Sequence, residues 1–210
     1  MEQLAKRLKF RLGLPLPGSA AQILMAHEER KLFFNSNAVP QNARTSSVLI
    51  LIYQDSNKFY VPLIVRQQDG HVHSGQVSFP GGKQDPSDAD LSITALREAE
   101  EEIGVSRHDI QLVGRLSEFY IPPSNFMVHP FVGIHSGVPE FTPDSREVER
   151  VVPIRLDHLM DDQYIAKREI PLRNGFKITV PAFCMEGLVV WGATAMILSE
   201  LRVLLTELDG

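Results

Sequence analysis

FPGGKQDPSDADLSITALREAEEEIGV, residues 79–105, places a Pro-Gly-Gly turn and a polar loop ahead of a short helix crowded with acid. In the helical part, residues 91–103, Leu96, Ala99 and Ile103 recur at helical spacing and make an apolar stripe. Glu98, Glu101 and Glu102 fall at i, i+3 and i+4, so their carboxylates are expected to converge on the other side. Like charges at that spacing cost roughly 0.2–0.5 kcal/mol per pair. A helix that needed only solubility would gain by exchanging one Glu for Lys. The pattern therefore points to a positive partner between the carboxylates, and a hard divalent cation such as Mg²⁺ suits oxygen ligands. The plainer alternative is a solvated acidic helix face. Context favours the site: Arg97 directly precedes Glu98, Gly104 stops the helix as a C-cap glycine should, and Gly81-Gly82 lies one loop upstream.

Residues 97–105, REAEEEIGV, resemble the end of the Nudix box, G-x5-E-x7-R-E-U-x-E-E-x-G-U, where U is a bulky apolar residue. Ala99 fills a U position with a smaller side chain. The stretch from Gly82 to Arg97 is one residue longer than in the box, and Ala89 stands where its first Glu is expected; Asp88 and Asp90 are the alternatives for that acid. Upstream, RQQDGHVHSGQVSFPGG, residues 66–82, is similar to the extra motif of the coenzyme A diphosphatase branch, roughly L-L-T-x-R-[SA]-x3-R-x3-G-x3-F-P-G-G. Arg66, Gly75 and residues 79–82 match. His71 stands where the motif has its second Arg, Gln67 where it has Ser or Ala, and Pro62 and Ile64 where it has Leu and Thr. Residues 83–86, 94–97 and 190–194 also look like this branch.

The resemblance implies an α/β fold, the Nudix-type α/β/α sandwich with a mixed sheet. It implies divalent-metal-dependent hydrolysis of a nucleoside diphosphate derivative, by attack of water on phosphorus. Glu98 and Glu102 would be the main ligands of Mg²⁺ or Mn²⁺, with Glu101 as third ligand or base and the Gly82 carbonyl as a further ligand. Arg97 would orient the carboxylates through a salt bridge. One more catalytic acid is expected from a later loop; Glu147 is chosen over Glu149 and Glu118. Substrate phosphates would meet Arg66 and the segment carrying His71, Ser74 and Gly75. The implied substrate is coenzyme A or an acyl-CoA, giving 3′,5′-ADP and (acyl-)4′-phosphopantetheine. The alternatives are ADP-ribose or a dinucleotide as substrate, and a non-catalytic nucleotide-binding module of the same fold.

The chain has 210 residues, 43% hydrophobic and 22% charged, an ordinary globular composition with length enough for a real core. Residues 1–45 read as an N-terminal helical and loop extension, and 46–210 as the hydrolase domain. A net charge of −5 argues against nucleic acid as a partner. A small-molecule diphosphate is expected instead, with a homodimer left open. The single Cys184 excludes an internal disulfide and reads as a small buried apolar residue. No run reaches the length of a transmembrane helix, so no membrane partner is expected and the cytoplasm is the default location. Cleavage of the basic N-terminus, with Lys6, Arg7, Lys9 and Arg11, would make it mitochondrial.

SVLILIY, residues 47–53, is a continuous apolar run and reads as a buried strand. Residues 59–66 are its hairpin partner, where Pro62 suggests an edge or a bulge. Further strands are expected at 76–79, 110–120, 127–135 and 148–154, and a short helix at 156–160. A hairpin is expected at 164–170 and 176–182, around Arg173-Asn174-Gly175. The first helix covers residues 1–12, Ser19 caps a second that runs through Arg30, and residues 33–45 form a loop. A long helix closes the chain at 191–208, with Trp191 expected in the core.

Overall fold

The computed structural model describes residues 1–28, 30–31, 39–67, 76–172 and 175–209. The apolar run becomes the central strand β1 (Arg44–Asp55). At its far end Ser56 and Asn57, both at positive φ, turn the chain into β2 (Lys58–Arg66). Then come β3 (Val77–Ser78), β4 (Gly81–Lys83), β5 (Ile110–Arg115), β6 (Phe119–Ile121), β7 (Phe126–His135) and β8 (Val148–Arg155). β1 pairs in parallel with β7, from Arg44↔Phe126 to Ile52↔Ile134, and antiparallel with β4 and β2, so the sheet is mixed. A separate antiparallel sheet holds β9 (Ile165–Pro171), β10 (Lys177–Met185) and β11 (Leu188–Val190). The helices include α1 (Glu2–Leu12), α2 (Gly18–Gln22), α3 (Leu91–Ile103), α4 (Leu156–Met160) and α5 (Gly192–Asp209).

The two faces of β1 divide the core. Leu49 and Leu51 pack with Ala95, Leu96, Ala99 and Ile103 of α3. Ile50 and Ile52 belong to a larger cluster that takes in Leu8 of α1 and Met196, Leu201 and Leu204 of α5. Burial on both faces explains why the strand reads as a continuous apolar run rather than an alternating one. The result is the expected three-layer arrangement, with α3 on one face and the terminal helices on the other. The stripe on α3 is the face that docks, and its ends are fixed chemically. Asp90 caps the start by accepting from Ser92 N at 2.7 Å and Ile93 N at 3.1 Å. Gly104 closes it at φ 73°.

Several expectations change. The strand expected at 110–120 is broken into β5 and β6. Both pair with β7; the break falls at residues 116–118, and β5 itself carries a register shift between Leu112 and Gly114. Residues 81–83, read as a turn, form β4 against β1. Pro62 lies opposite Pro153 in β8, beyond the stretch where β1 and β2 pair, so β2 is indeed open on that side; the bulge falls at Val65 and Arg66 instead. The helix expected from Ser19 to Arg30 begins at Gly18 with Pro17 at the cap, tightens to a 3₁₀ turn at Ile23–Met25 and becomes extended at Ala26. Its backbone is engaged from outside: Gly18 N donates to Glu200, and the Ala21 carbonyl accepts from Ser199 Oγ at 2.7 Å. Cys184 is half-buried in β10 rather than fully buried. The hairpin arms around residues 173–174 form as expected, with those two residues outside the described ones. Among the described residues no helix is long and apolar enough to cross a membrane.

Candidate active site

Two glycines bring the acidic helix against the sheet. Gly81 has φ 155°, and a Cβ there would lie 2.3 Å from the Ser47 carbonyl oxygen, so only glycine fits. Its N–H donates to Glu102 Oε2 at 2.8 Å. A Cβ on Gly82 would fall 2.4 Å from the Glu98 carboxyl carbon, so the bare backbone of β4 leaves room for that carboxylate. The other oxygen of Glu102 accepts from Arg66 Nη2 at 2.8 Å, and the same nitrogen donates to the Gly81 carbonyl at 3.1 Å. The Glu102 side chain is 3% exposed. Burial pushes it up to about 7, against the opposing pull of Arg66 and the Gly81 N–H, while the charges of Glu98 and Glu147 add to the rise. Glu98 is raised too, first by burial and then by Glu101 and Glu147, with Arg97 opposing.

Arg97 is the hub of the helix's outer side. Its Nε and Nη2 each lie 3.0 Å from Asp88, a bidentate pair. Nη2 also lies 3.0 Å from Glu98 Oε1, and Nη1 donates to Glu101 at 2.8 Å. Asp88 is buried and further accepts from Thr94 Oγ1 at 2.8 Å and Asp85 N at 3.0 Å. The Arg97 guanidinium holds its carboxyl well below the usual range. The two acids left open by the sequence thus separate: Asp88 is the partner of Arg97, and Asp90 is the helix cap.

The expected convergence of three glutamates is corrected to two. Glu98 and Glu102 lie against β4, whereas Glu101, 58% exposed, turns out toward Arg97, its i−4 neighbour. Glu147 is exposed, and its charge acts on both Glu98 and Glu102. Glu118 instead sits 3.0 Å from His129 Nδ1, without the angle of a hydrogen bond, and Glu149 stands beside Arg150. His71, Ser74 and Gly75 lie outside the described residues. Among the described residues no three carboxylate, imidazole or thiol groups stand together as a metal cluster. The chemistry nevertheless fits a hard cation: burial and neighbouring acids raise the proton affinity of both carboxylates, and positive charge would favour their ionised forms.

On the face of β1 opposite α3 lies a cleft of about 450 Å³. Arg66, Gly81, Gly82 and Lys83 line it, so the glycines that seat the carboxylates also border the cleft. Trp191, expected in the core, is half-buried and lines the cleft. It stands at the start of α5, where the helix leaves β11 rather than inside the packed stripe.

The family model for the NUDIX domain matches residues 43–172. The chain belongs to the Nudix hydrolase family. Nudix hydrolases act on phosphoanhydride bonds. The chain is 37% identical over 159 residues to the mitochondrial coenzyme A diphosphatase of Homo sapiens, a match covering 74% of this chain and 67% of that protein. It is 35% identical over 124 residues to the peroxisomal coenzyme A diphosphatase of Mus musculus, covering 59% of this chain and 52% of that one. It therefore spans about two thirds of the first and half of the second. Among solved structures, the Nudix hydrolase RenU from M. Smegmatis superposes with a TM-score of 0.55 at 16% identity, covering 79% of this chain and 87% of that one, which shows the Nudix fold. Two parts of this Nudix site were missed from sequence: the seating of Glu98 on Gly82, and the cleft walls. A Gly-Gly pair one loop before the helix carries the first signal; the walls join residues far apart in the chain and leave no local one.

Proposed function

We propose that the protein hydrolyses the diphosphate of coenzyme A or an acyl-CoA, releasing 3′,5′-ADP and (acyl-)4′-phosphopantetheine. The observation that carries this reading is the shared pair Gly81-Gly82, which seats Glu98 and Glu102 and also lines the cleft. The names of the two relatives agree with the substrate. Glu98 and Glu102, with the Gly82 carbonyl, would hold Mg²⁺ or Mn²⁺, which when bound neutralises diphosphate charge and makes water more acidic. Arg66, which lines the cleft, binds a diphosphate oxygen. Arg97 holds Glu98 and Glu101 in position and does not touch substrate. Glu147 accepts the proton of the attacking water, with Glu101 next to the site as the second candidate. On this reading residues 46–210 carry the chemistry, and residues 1–45 are an extension docked on them.

The test is a product assay with coenzyme A and Mg²⁺ or Mn²⁺, wild type beside Glu102→Gln. Release of 3′,5′-ADP by the wild type alone is expected. Hydrolysis of ADP-ribose or a dinucleotide but not coenzyme A would replace the substrate. No hydrolysis of any diphosphate would leave a binding module.

A further inference from the structure

Part of the cleft comes from outside the stretch that matches the family. That match covers residues 43–172, yet Met25 and Ala26 line the cleft together with Ala193, Met196 and Ile197. The N-terminal wall is tied down at several points. Glu200 of α5 is fully buried, and its carboxylate accepts from Gln22 Nε2 at 2.8 Å and from Gly18 N and Ser117 N at 3.1 Å each. Ser199 Oγ donates to the Ala21 carbonyl, and Arg30 Nη2 donates to the Tyr120 carbonyl. Thr194, which also lines the cleft, donates through Oγ1 to the Val77 carbonyl at 2.9 Å and fixes the first turn of α5 to β3.

The chemistry of this lining is selective. It is mostly apolar, with Met25, Ala26, Val180, Ala193, Met196 and Ile197 among its residues, and no acid lines the cleft among the described residues. Its cations are Arg66 and Lys83, near the glycines that seat the carboxylates, and Arg30, which lines it beside His27. A nucleoside laid on the apolar stretch would leave hydroxyls and ring nitrogens without partners there, which is costly. A flexible arm of methylenes and spaced amides loses much less, and methionine adapts to its shape. The geometry points to the segment of residues 18–28 as a specificity-determining wall. With the first turns of α5 it receives the uncharged, largely aliphatic arm attached to the diphosphate, and it leaves the nucleoside outside.

This inference rests on the coenzyme A reading, and the experiment separates the two. In the full chain, Ala193→Phe narrows the cleft at a half-buried position and Met25→Ala widens it. Steady-state kinetics with coenzyme A are measured together with inhibition by each product half, 4′-phosphopantetheine and 3′,5′-ADP, and circular dichroism confirms folding. Ala193→Phe is expected to raise KM for coenzyme A and the inhibition constant of 4′-phosphopantetheine about tenfold, with Met25→Ala moving both in the same direction by less. The constant for 3′,5′-ADP stays where it is in wild type. A shift in 3′,5′-ADP instead would place the nucleoside in the cleft and overturn the inference. So would folded variants in which neither half shifts while the wild type still cleaves coenzyme A. A wild type that leaves coenzyme A intact overturns the substrate reading and this inference with it.

Discussion

Arg66 Nη2 lies 2.8 Å from Glu102 Oε1, joining the first Arg position of the upstream motif to the most buried carboxylate of the acidic helix. Glu102 is nearly enclosed, whereas the Arg66 side chain keeps about a quarter of its surface, 26%. Removing one member of a buried pair costs about 3–5 kcal/mol. With one partner facing solvent, Arg66→Gln is expected to cost less, about 1–2 kcal/mol, in chemical denaturation. Activity should fall further than stability, because the same guanidinium faces the cleft. Arg66→Lys restores a charge without a second donor in the plane, so it should recover stability better than turnover. Equal recovery of both would assign Arg66 to structure alone.

Gly81 and Gly82 are adjacent and should fail differently. A Cβ on Gly82 meets only the end of the Glu98 side chain, which can swing away. Gly82→Ala is therefore expected to fold with a near-normal circular dichroism spectrum. Its kcat/KM should drop about a hundredfold, as expected for a group moved by an ångström. A Cβ on Gly81 meets the backbone of Ser47 and Val48 at 2.3 and 2.6 Å, and φ is 155°. Gly81→Ala should lose soluble expression instead. A Gly82→Ala enzyme with full activity would remove Glu98 from the site.

Asp88 gives the fold an acid-sensitive element. The Arg97 pair, with the Thr94 hydroxyl and a backbone N–H, holds its folded pKa below the unfolded value. An acid depressed in this way adds stability above its unfolded pKa, about 4, and loses it as pH falls toward the folded value. Thermal unfolding followed from pH 7 down to pH 3 should show the wild type losing stability at the acid end. Asp88→Asn should start lower at pH 7 and change less. Other acid groups share the limb, so the quantity to compare is the difference between the two curves. Parallel curves would mean that Asp88 is not ionised against Arg97.

What could be read in advance follows the range of the contacts. Residues 91–103 form the expected helix because its stripe, its C-cap and its acids are all local. The burial of residues 47–53 was legible because a strand covered on both faces must be apolar throughout. The side-chain geometry was less so. Spacing puts Glu98, Glu101 and Glu102 on one side of a helix, but the seat on Gly82 and the reach of Arg97 decide which two meet the turn. The early end of α2 and the exposure of Trp191 depend on what packs there from the other end of the chain. Gln22 and Glu200, for instance, bond across 178 residues.

That last bond sets the remaining prediction. Glu200 accepts three N–H groups in a fully buried place, so a shape-conserving apolar replacement leaves three donors without a partner. Each unmet buried donor costs about 1–3 kcal/mol, and rearrangement of Gln22 can recover part of that. Glu200→Leu is expected to lose about 3 kcal/mol, or roughly 6–12 °C in Tm for a chain of this size. Gln22→Leu removes one donor of the three and should cost less by itself. In the double variant the Gln22 change should cost less than it does alone, since the bond to Glu200 is already gone and only that to the Ser117 carbonyl at 3.2 Å remains to be lost, and that non-additivity is the signature of a shared network. Additive losses would show that Glu200 and Gln22 contribute separately.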